Sequence, residues 1–215
     1  MSEFTILVEN SAPSQGKPAK SARWASEILQ NLGIYNVADL GCGRLRNLII
    51  FENHFSEITL IDTDLQCDRI RGLTPEVENI KLITSSIFQE EQKLYEAIFL
   101  ISVLHIIPEP KMRSDLLDLA ISKLTRPGFL IVDVPTGISY YRHKCTNDRK
   151  YSDGYVMGHG RHRTFYKNFH AKDLDALLSM NDQLKLYKKV YFDKHLVRIM
   201  TNRIEEKRRE EKRPL

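Results

Sequence analysis

Two glycines and two carboxylates carry the chemistry most directly readable from this chain. Asp39-Leu40-Gly41-Cys42-Gly43 closes one apolar run and opens a helical pattern, and Asp62 ends the next apolar run, Ile58-Thr59-Leu60-Ile61. Glycines at 41 and 43 permit a tight turn and let a flat or bulky ligand approach the main chain with no Cβ in the way. An acid at Asp62 can accept hydrogen bonds from both ribose hydroxyls of a nucleoside lying across the strand ends. A nicotinamide dinucleotide would favour G-x-G-x-x-G, with its pyrophosphate on a helix N-terminus, but the third position is Arg46 and Asp39 precedes the turn. Negative charge there repels a pyrophosphate and attracts a sulfonium or an α-amino group. The expected ligand is a nucleoside cofactor.

These residues need a scaffold that brings strand ends together. Short apolar runs at 36–40, 58–61, 80–83, 97–102 and 129–134 read as strands, and helices are expected around 21–32, 46–53, 65–71 and 111–123. Strands separated by helix-length connections imply βαβ units and a parallel sheet covered on both faces, so the fold class is α/β. After a helix at 173–178, the runs 184–192 and 196–202 are joined only by Asp193-Lys194-His195. So short a link cannot hold a crossover helix, which requires a terminal antiparallel hairpin.

Composition sets the outer bounds. The chain has 215 residues, 42% hydrophobic and 28% charged, enough for one domain with a substantial core. No apolar run is long enough to span a membrane, and Met1-Ser2-Glu3-Phe4 lacks the basic start of a signal peptide, so a cytoplasmic protein with no membrane partner is expected. Cys42, Cys67 and Cys145 are too scattered for a disulfide framework or a zinc module, and no metal is expected. The expected organisation is a mobile segment over 1–20, a catalytic-sized domain over 21–202 with an insertion at about 136–172, and a charged tail over 203–215.

Asp39-Leu40-Gly41-Cys42-Gly43 resembles the first motif of the class I S-adenosylmethionine-dependent methyltransferases, and Asp62 falls at that family's ribose-binding acid. Ser85-Ser86-Ile87 is similar to the turn that contacts adenine, Ser102 to Pro108 to the segment after strand four, and Leu124 to Leu130 to the loop into strand five. The resemblance spans roughly residues 20 to 202 and departs from the family at Leu45, Ser86 and Glu96. It implies a Rossmann-like three-layer sandwich with a seven-stranded, mostly parallel sheet. It also implies S-adenosyl-L-methionine as cofactor, with Asp39, Gly41, Cys42 and Gly43 at its methionine end, Asp62 and Thr63 at the ribose, Ser86 and Ile87 at the adenine, and Ser102 nearby.

Methyl transfer asks the protein to align nucleophile, methyl and sulfur and to leave the acceptor unprotonated. His105, after strand four, is a candidate base. The segment from Tyr140 to Lys172 holds four of the seven histidines, five of the nine tyrosines and eight Lys/Arg against Asp148 and Asp153. From it, Tyr140, Tyr141, His159 and His162 are candidate catalytic residues, and Arg142, Arg161, Arg163 and Tyr166 candidate substrate-binding residues. Such a cluster can bind phosphates and stack on bases, so a nucleic acid or small anionic acceptor is favoured; its plainer reading is a solvated lid with aromatics packed on the sheet. Gly154, Gly158 and Gly160 read as hinge points of that lid. The alternative from another class is a non-catalytic cofactor-binding or regulatory module that contacts RNA or a protein through the basic lid.

Overall fold

The computed structural model describes residues 16–137, 145–158 and 163–202. Strands β1 (Asn36–Leu40), β2 (Glu57–Asp62), β3 (Ile80–Thr84), β4 (Tyr95–Ile101) and β5 (Leu124–Pro135) are parallel, and β9 (Lys185–Phe192) and β10 (His195–Thr201) close the sheet as an antiparallel hairpin. The order β3-β2-β1-β4-β5-β10-β9 reverses direction between β1 and β4, which opens a crevice at their carboxyl ends.

Both faces of the sheet are covered, which is why its strands read as apolar runs rather than alternating ones. One core joins Ala38, Leu40, Ile98 and Leu130 to α4 (Ser85–Glu90), α5 (Pro110–Ser122) and α6 (Ala171–Ser179) through Phe88, Leu117 and Leu174. The other joins Val37, Phe99 and Ile131 to α1 (Lys20–Asn31), α2 (Leu48–Glu52) and α3 (Asp64–Ile70) through Leu29, Phe51 and Ile70. Successive residues of each strand supply the two cores in turn, giving the three layers.

Two expectations need correction, and the insertion gains elements that the sequence did not show. The stretch 124–128 is no loop: Leu124 already pairs with Tyr95, and an irregularity follows before Phe129 meets Ala97. Ser85-Ser86-Ile87 is the first turn of α4, started by the Thr84 hydroxyl, which accepts from the Ile87 amide at 3.3 Å. The region after β5 contains a second, antiparallel sheet, β6 (Lys150–Tyr151), β7 (Gly154–Met157) and β8 (Thr164–Tyr166).

That small sheet is pinned to the domain. Arg113 of α5 is 2% exposed, donates to the Ile107 carbonyl at 2.8 Å and pairs with Asp153 at 2.5 Å, while Lys167 meets the same carboxylate at 2.8 Å. Burial works against the charge of Asp153, but the hydrogen bonds and charges of Arg113 and Lys167 hold its carboxyl below the usual range. Gly154 is no hinge: a Cβ there would lie 2.3 Å from the Phe165 ring and 2.6 Å from the Tyr166 carbonyl, so the glycine lets β7 and β8 close on each other. Gly160 lies outside the described residues.

Candidate functional site

The turn after β1 is built from left-handed backbone. Gly41 and Gly43 have φ of 89° and 59°, a region that costs a residue bearing a Cβ. Leu45 has φ of 63°, so the chain keeps at 45 the conformation a third glycine would adopt. The amides of Gly41 and Cys42 both donate to the Ile61 carbonyl, at 2.8 and 3.0 Å. A Cβ on Gly41 would stand 2.4 Å from Cγ2 of Val103, so the space at Gly41 is taken by the segment after β4 rather than kept for a ligand.

Asp62, at the end of β2, reaches back to this turn. Its Oδ2 accepts from the Gly43 amide and its Oδ1 from the Thr63 amide, both at 2.8 Å. Burial raises its pKa, and those bonds to Gly43 and Thr63 oppose the rise. Thr63 caps α3 by accepting from Gln66, whose side-chain amide in turn donates to the Gly43 carbonyl at 2.6 Å.

Asp39 is 1% exposed and does not itself line the cavity described below, and its Oδ2 is bound to nothing among the described residues. Burial, and then the charge of Asp62, raise its pKa to about 7, while Arg46 acts the other way. A buried carboxylate in this state gains from a cation placed nearby, which suits an α-ammonium or sulfonium group. Cys42 is buried, and burial together with Asp39 and Asp62 pushes its thiol up, so it acts as an apolar wall residue.

One cavity of about 980 Å³ joins this loop to the segments after β4 and β5. Gly41, Cys42, Gly43, Asp62, Thr63 and Ser102 all line it. Ser102 sits at φ 60°, donates its amide to the Asp133 carbonyl at 2.9 Å and accepts from Arg46 at 3.3 Å. Such a strained non-glycine conformation at the end of a strand is common where side chains are aimed into a site. Ser86 and Ile87 are exposed and not in the wall; Ser85 and Gln89, one turn apart on α4, line it instead. The Ile87 amide is spent on Thr84 and is not offered to a ligand.

On the opposite side stand His105 and Tyr166, with ring centroids 5.6 Å apart in an edge-to-face contact. The Lys167 amide donates to the His105 carbonyl at 2.8 Å, tying β8 to the segment after β4. Nδ1 of His105 is buried and bound to nothing among the described residues. Burial, then His195, lower its pKa to about 3, so the ring is neutral at physiological pH. Arg163 is described but does not line the cavity, and Tyr140, Tyr141, Arg142, His159, Arg161 and His162 lie outside the described residues.

The residues that sequence reasoning missed form a hydrogen-bonded chain near the end of β5, buried at Ser21 and Asp133 and partly exposed at His195. Asp133, 2% exposed, accepts from the Ser21 hydroxyl of α1 through Oδ2 and meets Nδ1 of His195 at 2.5 Å through Oδ1. His195 lines the same cavity. One signal was available: a single carboxylate inside Phe129-Leu130-Ile131-Val132-Asp133-Val134, an otherwise apolar strand, must have polar partners. Glu96 also gains a role, its Oε2 accepting the amides of Tyr35 and Asn36 at 2.7 and 2.9 Å where β1 begins.

No family model matches the sequence, and no curated protein matches it significantly. Its structure is similar to Burkholderia thailandensis 1,6-didemethyltoxoflavin-N1-methyltransferase with bound 1,6-didemethyltoxoflavin and S-adenosylhomocysteine (17% identity, 86% of this chain and 79% of that one, TM-score 0.61). It is also similar to the N-methyltransferase NodS of Bradyrhizobium japonicum WM9 in complex with S-adenosylhomocysteine (15%, 87% and 89%, TM-score 0.58). A third similar structure is S-adenosylmethionine-bound CalS10 of Micromonospora echinaspora, an amino pentose methyltransferase (12%, 84% and 89%, TM-score 0.62). The chain thus has the Rossmann-like fold of the S-adenosylmethionine-dependent methyltransferases.

Proposed function

We propose that this chain is an S-adenosylmethionine-dependent methyltransferase whose acceptor is a small molecule held in the same cavity as the cofactor. The observation that carries this reading is the continuity of the cavity. Its 980 Å³ run from Asp62 and the glycine turn to His105, Tyr166 and His195, near the top of the roughly 300–1,000 Å³ range of small-ligand sites. When bound, the cofactor supplies an electrophilic methyl group on a sulfonium. Gly43 and Asp62 would hold its nucleoside end, and Asp39 would lend negative charge beneath its cationic end. What remains for the protein is to align an acceptor and keep out water.

Three further observations favour a small acceptor over a polynucleotide. Of the aromatic residues in the insertion, Phe165 and Tyr166 are buried. Lys167 is committed to Asp153, and the Tyr151 hydroxyl donates to Glu109 at 2.8 Å. The structural neighbours named above include a 1,6-didemethyltoxoflavin-N1-methyltransferase and an amino pentose methyltransferase.

The test is calorimetric titration of the full chain with S-adenosylhomocysteine, followed by transfer of radiolabelled methyl from S-adenosylmethionine into size-separated cell extract. Micromolar binding and label in the fraction below about 1 kDa are expected. Absence of binding by cofactor-free protein would overturn the assignment, and label confined to RNA would replace the small acceptor by a polyanion.

A further inference from the structure

The structure assigns the acceptor's proton to Nε2 of His195, with Asp133 and Ser21 as the positioning residues that hold the ring; this rests on the methyltransferase reading and deepens it. Three elements distant in sequence meet to build this arrangement. Ser21 is in the first turn of α1, Asp133 near the end of β5 and His195 at the start of β10. The Asp133 carboxylate is 2% exposed, and its two oxygens are divided between the Ser21 hydroxyl and Nδ1 of His195, at 2.5 Å for the ring. Because a carboxylate only accepts, the proton of a neutral His195 ring sits on Nδ1, and that tautomer leaves Nε2 bare. His195 lines the cavity and its side chain is 35% exposed, so a proton taken there can later leave to solvent.

A buried carboxylate in a strand covered on both faces is costly, and α1 covers it at a point where the plain scaffold asks only for an apolar residue. The fold therefore maintains an oriented imidazole at the cavity wall. His105 is a poorer base: its Nδ1 is buried with nothing among the described residues to hold it, and burial lowers its pKa to about 3, so it takes up a proton weakly. The titratable groups around His195 are these. Asp133 faces it from β5, His105 from the segment after β4, and Asp193 and Lys194 flank it in the hairpin turn, with Asp193 paired to Lys20 of α1. Arg46 lines the same cavity and its charge bears on His105.

The step balances as follows. The acceptor's nitrogen or oxygen forms a bond to the methyl carbon, the carbon–sulfur bond breaks with its electron pair passing to sulfur, and the acceptor's proton moves to Nε2. The imidazolium so formed is neutralised by Asp133. The acceptor class that needs this device carries its proton at neutral pH: a hydroxyl, a ring N–H or an ammonium.

The test begins with nitrogen-15 NMR of the histidine rings in the full wild-type chain, which needs neither acceptor nor variant. An Nδ1–H tautomer for His195, lost in Asp133→Asn, is expected, and an Nε2–H ring in the wild type would overturn the proposal. Methyl transfer to the small-molecule extract fraction is then compared for His195→Gln. A fall of about 100-fold in turnover is expected, with S-adenosylhomocysteine affinity within about twofold of wild type. An unchanged rate would overturn the proposal. Loss of cofactor binding by the wild type would instead bring down the methyltransferase reading, so the two failures are separable.

Discussion

The carboxylate of Asp62, at the end of β2, accepts a hydrogen bond of 2.8 Å from the backbone amide of Gly43. Its other oxygen accepts from the Thr63 amide, and the carboxylate still has acceptor capacity for a ligand hydroxyl. One residue therefore both shapes the glycine turn and lines the cavity. Asp62→Asn keeps a single carbonyl oxygen and no charge, and Asp62→Ala keeps neither. S-adenosylhomocysteine affinity is expected to fall roughly 10-fold in the first and roughly 100-fold in the second, as read by calorimetry. Equal losses would mean that the charge alone matters.

Asp39 gives a pH-dependent prediction. Its pKa in the folded chain, about 7, lies above the ordinary 3.8, so the native state holds a proton that the unfolded state has already lost. Stability contributed by this group must fall as pH rises from about 4 to about 7 and then level off. Asp39→Asn removes that dependence, so its melting temperature should match wild type near pH 4 and exceed it at pH 8. The gain is at most about 4 kcal/mol. Burial of His105, whose pKa is lowered to about 3, acts in the opposite direction but is common to both proteins and cancels. Parallel melting curves across this range would refute the assignment.

Leu45 tests the backbone of the turn. At φ 63° a Cβ is penalised, so Leu45→Gly should be more stable than Leu45→Ala by about 1 kcal/mol in urea unfolding, although glycine is ordinarily the worse residue. Comparison with alanine rather than leucine removes the side-chain packing from the difference. The reverse order would show that the turn relaxes when the side chain is cut back.

Gly154 separates a hinge from a packing site. A hinge glycine on an exposed loop tolerates alanine, whereas here the added methyl meets the Phe165 ring and the Tyr166 carbonyl. Gly154→Ala should cost about 1–3 kcal/mol and loosen the contact between Tyr166 and His105, visible as faster amide exchange at Lys167. Unchanged stability and exchange would restore the hinge.

What the sequence by itself determined are the features set by neighbours in the chain. The βαβ alternation appears as apolar runs because both sheet faces are buried, and the hairpin follows from a link of at most three residues, in the structure only Asp193-Lys194, too short to cross over. The turn at Gly41 and Gly43 and the acid at Asp62 were legible for the same reason, since a strand, a tight turn and a strand end are local. The small sheet of the insertion was not, because β6, β7 and β8 have two, four and three residues, too few for a period to emerge. Nor could the sequence show that Thr84 takes the Ile87 amide, or that Val103 fills the space at Gly41.

Only the tertiary structure decided which groups share the cavity. Asp133 finds Ser21 at a separation of 112 residues and His195 at 62, and nothing in the local pattern of either partner announces the meeting. A buried carboxylate in an apolar strand announces that it needs hydrogen-bond donors, but which side chains supply them depends on where α1 and the terminal hairpin pack against the sheet.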